Sequence, residues 1–199
     1  MRTKDDDKRI RIFRAAIHVI NERGLAGASV ARIAAAAGVS PATLYVHFEN
    51  KDDMLNKLFI GIYYRMSASL RAALDDTRPP RAALYEVWRA MWTYLREQPE
   101  DFLFVEQFGN NPVITEASRE QVMDFFEFLH RYYRRLMDDG VLRPLTKEVI
   151  SACLFMPMIN LVKWQMGGKT TVDEEAIRQS FEVAWRGLVT DEYRLRRED

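Results

Sequence analysis

Very little in this sequence would cross-link or anchor a chain. Cys153 is the one cysteine in 199 residues, so no disulfide closes within the chain, and the lack of a cysteine framework points to a reducing compartment, the cytoplasm. Histidine is nearly as scarce, at three residues. Met1, Arg2, Thr3 and Lys4 lead into Asp5, Asp6 and Asp7, without the apolar core that a signal peptide requires. The most apolar stretch, Ala152 to Val162, is interrupted by Pro157 and Asn160 and falls short of the roughly 20 residues that cross a bilayer, so no membrane partner is expected. Net charge is absent too, with 29 basic residues against 29 acidic ones. There are no internal repeats, no low-complexity tracts and no convincing alternation of apolar and polar residues between turn signals, which leaves no β-strand to propose.

What is present is apolar and helical. Hydrophobic residues make up 48% of the chain, enough for one or two domains whose cores need neither disulfides nor a structural metal. Charge is unevenly placed: residues 1–57 hold 10 Lys and Arg against 7 Asp and Glu, a mild positive excess at the N-terminal end, where a polyanion would be met. Apolar residues recur with helical spacing throughout, so the chain reads as all-α. A first helix is expected over about 6–22, with Ile10, Phe13, Ile17 and Ile20 on one face and Gly24 as its stop. A short second helix is capped by the Ser29 hydroxyl, buries Ile33, Ala34 and Ala37, and ends at Gly38. A third runs from Pro41, behind the N-cap Ser40, to His47, and the unit closes near Asn50. Longer helices are expected over 51–75, 81–97, 100–108, 115–138, 146–166 and 173–189, the last opened by a capping box of Thr171 and Glu174.

Two short helices joined at a glycine have the geometry of a helix-turn-helix, whose second helix enters the major groove. The exposed residues here are Ser40, Ala42, Thr43, Tyr45 and His47: small enough for close approach to DNA, or able to donate to phosphates. The N-termini that follow Ser29 and Ser40 add free N–H groups and a positive dipole end.

The run from Gly38 through Ser40, Pro41, Ala42, Thr43, Leu44, Tyr45, Val46, His47 and Phe48 to Lys51 resembles the helix-turn-helix signature of TetR-type transcriptional regulators, and the likeness extends over about 9–58. It implies a three-helix DNA-binding domain at 1–57 and a larger helical domain for effector binding and dimerisation at 58–199. Carried over position by position, Tyr45, His47 and Lys51 are expected at phosphates, while Arg32, Ala42, Thr43 and Val46 are expected at base edges. Arg32 is the one long donor among these and suits bidentate reading of guanine. The family often has glycine where this chain has Ala42. The resemblance further implies a homodimer that represses from a palindromic operator on double-stranded DNA and is released by a small molecule.

Of the 23 aromatic residues, 17 lie between Phe59 and Trp164. Such rings are core more often than pocket, but the resemblance favours a cavity. The expected wall is Met66, Trp88, Trp92, Phe104, Phe108, Phe126, Tyr133 and Phe155, with His130 and Asn160 as polar anchors, suited to a hydrophobic or aromatic effector or to an organic cation held over ring faces. The last two helices carry wide apolar faces: Ile150, Leu154, Met158 and Leu161 on one, Ile177, Phe181, Trp185 and Leu188 on the other. By resemblance these pair with a second copy as a four-helix interface; packing within the chain is the other reading.

Enzyme readings find little support. Glu127 and His130 have a di-iron-type spacing but no second such pair. Gly168, Lys169 and Thr170 lack the first glycine of a phosphate loop, since position 163 is Lys163. Cys153, in an apolar helix, is expected to pack as a small hydrophobe. No metal or cofactor is expected. An all-helical binding module or enzyme with a vestigial DNA-binding motif stands as the alternative, and salt-sensitive binding to duplex DNA separates the two.

Overall fold

A computed structural model describes residues 4–198. Its helices in chain order are α1 Lys4–Gly27, α2 Val30–Ala37, α3 Pro41–His47, α4 Lys51–Ala73, α5 Pro80–Glu97, α6 Pro99–Phe108, α7 Glu116–Phe125, α8 Glu127–Asp138, α9 Lys147–Met166, α10 Glu174–Leu188 and α11 Asp191–Glu198. Among the described residues the only extended pairing is an isolated bridge between Leu142 and Val189. The all-α reading is correct.

Compactness divides the chain into two units, one formed by residues 1–65 and 98–124 and the other by 66–97 and 125–199. This partition differs from a single cut at 57/58: the first half of α4, with α6 and α7, belongs with α1–α3. In the first unit α1 packs on α2 and α6, and α2 on α3. Ile12, Ala16, Ile17 and Ile20 of α1 are buried with Ile33, Ala34, Leu44 and Leu55. Phe13 meets Phe48 with ring centroids 5.5 Å apart.

In the second unit α9 packs against α10, α5 and α8, and α10 also meets α5. Trp88 and Phe181 are wholly buried and cross edge to face at 5.7 Å. The Trp88 indole N–H donates to the Leu154 carbonyl at 2.7 Å, one residue beyond Cys153, the carbonyl that loses its helical donor at Pro157. The helix continues through that proline.

Two expectations change. The helix expected over 115–138 is two, because Phe126 leaves helical geometry at φ −99°, ψ 4°. The cap of α10 is Asp173, whose carboxylate accepts from the Ala176 N–H at 2.8 Å; Thr171 lies in the preceding loop, so the Thr171–Glu174 box does not form. Counted over its whole length, α9 is apolar enough by composition alone to cross a bilayer, a test that a core helix also passes. Ile150, Leu154, Met158 and Val162 on one of its sides are buried in the second unit.

Candidate nucleic-acid interface

Local signals build the helix-turn-helix. Ser29 accepts from the Arg32 N–H and Ser40 from the Thr43 N–H, both at 3.3 Å, so each short helix begins on a hydroxyl that takes one of its unpaired N–H groups. Gly38 sits at φ +65°, a left-handed geometry that side chains resist. There its N–H reaches the Ala35 carbonyl and the Val39 N–H the Ala34 carbonyl, which closes α2 and turns the chain into α3. The start of α4 is closed reciprocally: Asn50 accepts from the Asp53 N–H, and the Asp53 carboxylate accepts from the Glu49 N–H, both at 2.9 Å.

Lys57 was not singled out by sequence, since a lysine on a helix surface carries no signal of its own. Its ammonium donates to the last carbonyl of α3, His47, at 3.0 Å and to Asp53 at 2.8 Å. Hydrogen bonding to Lys57 and to the Glu49 N–H outweighs burial and lowers the Asp53 pKa, so the clamp is charged at neutral pH.

On the outer side of α3, Tyr45 is 61% and Val46 79% exposed. Leu44, the residue just before them, is buried and holds the helix to the core. Ala42 is exposed and Thr43 half-buried, with the Thr43 and Ser40 hydroxyls 3.0 Å apart. Ser29, Tyr45 and Lys51 come together at one depression between the start of α2 and the junction of α3 with α4. His47 is half-buried, its ring 6.5 Å from that of Phe48. Arg32 is exposed, and its Nη1 donates to the Gly27 carbonyl at 2.6 Å, so one of its five N–H groups is held by the turn before α2.

The sequence profile described as "Bacterial regulatory proteins, tetR family" matches residues 12–58, and that described as "Tetracyclin repressor-like, C-terminal domain" matches 59–190. The chain belongs to the TetR family of transcriptional regulators. An uncharacterised HTH-type transcriptional regulator of Haemophilus influenzae is 23% identical over 189 residues, 94% of this chain and 99% of its own length. The nicotine-responsive repressor HdnoR of Paenarthrobacter nicotinovorans is 27% identical over 129 residues, 63% of this chain and 66% of its own. The crystal structure of a TetR family regulator from Marinobacter aquaeolei superposes with a TM-score of 0.87 at 26% identity, covering 95% of this chain and 99% of that one.

In this TetR-family regulator the residues expected at an effector fall in different places. Phe104 and Phe108 are buried in the first unit, their ring centroids 5.3 Å apart. Met66, Trp88, Trp92, His130 and Tyr133 are buried in the second unit, Phe126 and Phe155 are half-buried there, and Asn160 is exposed. Trp88 has its N–H committed to Leu154, as core tryptophans do. The buried Trp92 Nε1 and His130 Nδ1 have no hydrogen-bond partner; the Glu127 carboxylate stands 3.6 Å from His130 Nδ1. Burial, ahead of the Lys147 charge, lowers the His130 pKa and keeps the ring neutral.

Residues expected to face a second copy are turned inward. Ile150, Leu154, Met158, Ile177, Phe181, Trp185 and Leu188 are buried within the chain, and Leu161 is half-buried. The exposed stripe of α9 is instead Val149, Cys153, Met156, Asn160 and Trp164, with Val183 and Gly187 exposed on α10. Cys153, expected to pack as a small hydrophobe, is exposed on that stripe.

Proposed function

We propose that the chain represses transcription as a homodimer on a palindromic operator and is released by a small hydrophobic or aromatic molecule. The observation that carries the reading is the outer side of α3, where Tyr45 and Val46 stand exposed beside Ser29 and Lys51, next to capped helix ends that suit phosphates. In this reading Tyr45, His47, Lys51 and the helix starts at Ser29 and Ser40 take phosphates. Arg32, Ala42, Thr43 and Val46 take base edges, with Arg32 leaving the Gly27 carbonyl for guanine.

Support for a second copy comes from α9. Val149, Met156 and Trp164 are 43%, 47% and 51% exposed, and Val183 on α10 is 75% exposed. Large apolar residues in such a stripe favour cover by another protein surface. Support for an effector comes from Trp92 Nε1 and His130 Nδ1, buried polar atoms without a hydrogen-bond partner. An aromatic ligand with a hydrogen-bonding group would relieve that cost, and one relative is nicotine-responsive by name. A signal in the second unit would reach the reader along the chain where it passes between units, at 65/66, 97/98 and 124/125.

Selection of sites from random duplex DNA tests the reading. A palindromic winner bound with a steep salt slope supports it, and that site then serves as the probe for effectors that release the protein. Absence of enrichment from a folded dimer rejects DNA binding. Enrichment of an unpaired half-site by a monomer rejects the dimer alone.

A further inference from the structure

We infer that the second unit carries an anion-binding cleft for a small organic phosphate, set between the end of α4 and the outer face of α8. Arg71 and Asp76 line an open cleft of about 420 Å³ together with Phe128, Arg131, Tyr132 and Arg135. The volume is in the range of small-molecule sites and exceeds what a bare phosphate fills.

Three guanidinium groups face this cleft with one carboxylate among them. Asp76 is committed to Arg135: its Oδ2 accepts from Nη1 at 2.8 Å and its carbonyl from Nη2 at 2.9 Å. No ion pair engages Arg71 or Arg131 among the described residues. Arg134, on the same helix, is paired with Glu127 at 2.6 Å, and the chain as a whole has as many acids as bases. Acidic partners are therefore at hand for α8, yet none is placed opposite Arg131. Arg131 and Arg135 also stand one turn apart, a like-charge spacing that disfavours the helix unless an anion lies between them.

The arginines are held ready. The Arg71 guanidinium lies over the Phe128 ring at 4.4 Å and that of Arg135 over Tyr132 at 5.0 Å. A guanidinium held on a ring has surrendered much of its side-chain freedom before a ligand arrives; Arg71 keeps its N–H edges for two acceptor oxygens, while Arg135 already shares its own with Asp76. Phosphate oxygens match that fork, and a dianion answers the two unpaired charges better than a single carboxylate does. Phe128 and Tyr132 are buried, and burial raises the Tyr132 pKa, so the phenol stays a neutral donor. The open volume beside these rings suits the organic part of an ester. By helical geometry His130 and Tyr133 point to the opposite side of α8, so this cleft is separate from the unsatisfied atoms invoked for the effector.

Titration calorimetry of the full chain with phenyl phosphate, inorganic phosphate and benzoate tests the site. Phenyl phosphate is expected to bind with submillimolar affinity, roughly tenfold tighter than inorganic phosphate and tighter still than benzoate. Arg131→Ala, which removes an exposed and unpaired side chain, is expected to weaken it about tenfold, and Arg71→Lys, which keeps the charge but loses the fork, by a similar factor. Arg134→Ala should leave it unchanged. The proposal is overturned by any of four results: no saturable binding below about 10 mM, undiminished binding to Arg131→Ala, equal affinity for phosphate and phenyl phosphate, or a shallower salt slope for Arg131→Ala on duplex DNA, which would make the patch a nucleic-acid contact.

Discussion

The two units are stabilised by different means. The first relies on closures that act over one helical turn, on alanine and other small side chains in α2 and α3, and on polar links to α6 and α7. His18 Nδ1 lies 2.6 Å from Glu100 and Asn21 donates to the Glu100 carbonyl. Arg65 bonds Asp101 at 2.8 Å. Asn56 donates to Val113 and accepts from the Thr115 N–H and the Ser118 hydroxyl. The second unit rests on large rings: Tyr85, Trp88, Phe181 and Trp185 form one chain of contacts at 4.9 to 6.4 Å. A unit that presents a surface to DNA gains from directional bonds, which fix shape. A unit filled by bulk burial is tolerant of shape and open to adjustment.

Truncating a ring should expose the contrast most strongly. Trp88→Ala empties a wholly buried site and orphans a use of the Leu154 carbonyl, and is expected to cost about 3–5 kcal/mol in chemical denaturation. Asn56→Ala leaves the Thr115 and Ser118 donors and the Val113 carbonyl without their partner and should cost about 2 kcal/mol. A loss near zero would show that the 98–124 segment does not depend on these bonds. Arg32→Ala is expected to remove about 1–3 kcal/mol of discrimination at one base pair while leaving stability nearly unchanged, measured against operator variants. Unchanged relative affinities would remove Arg32 from base reading.

The smallest effects concern two histidines and have opposite signs. The hydrogen bond to Glu100 raises the His18 pKa above 6.5. Its contribution is thus complete below pH 6.5 and fades as pH rises through the folded value. Both groups are half exposed, so His18→Gln should cost only a few tenths of a kcal/mol, seen at pH 6 and gone in alkali. His130, lowered by burial from 6.5, takes its proton first in the unfolded chain. The wild type should lose stability as pH falls below 6.5 toward the folded value, and His130→Gln should flatten that slope.

The short helices are legible in the sequence because their limits are set by side chains acting on their own backbone: Ser29, Gly38, Ser40 and Pro41 each mark the end that the structure places there. The break at Phe126 has no glycine or proline to announce it, and Asp173 competes with Thr171 as a cap in a way that composition does not rank. The partition of the chain is hidden for another reason. Glu100, Asp101 and Val113 meet His18, Arg65 and Asn56 across 82, 36 and 57 positions, and each is an ordinary residue in its local context. On α9 both sides are apolar, so periodicity selects the stripe of Ile150, Leu154 and Met158 without revealing that the chain itself covers it.

The return of residues 98–124 to the first unit bears on inheritance and engineering. The compact unit that carries the helix-turn-helix is written in two separate stretches, so a hybrid regulator that borrows residues 1–57 alone carries Asn21 and Asn56 away from the Glu100, Val113, Thr115 and Ser118 that they bond here. Recombination that preserves recognition has to move both stretches together, or begin from a host whose own α6 and α7 already present the matching carbonyls and carboxylates.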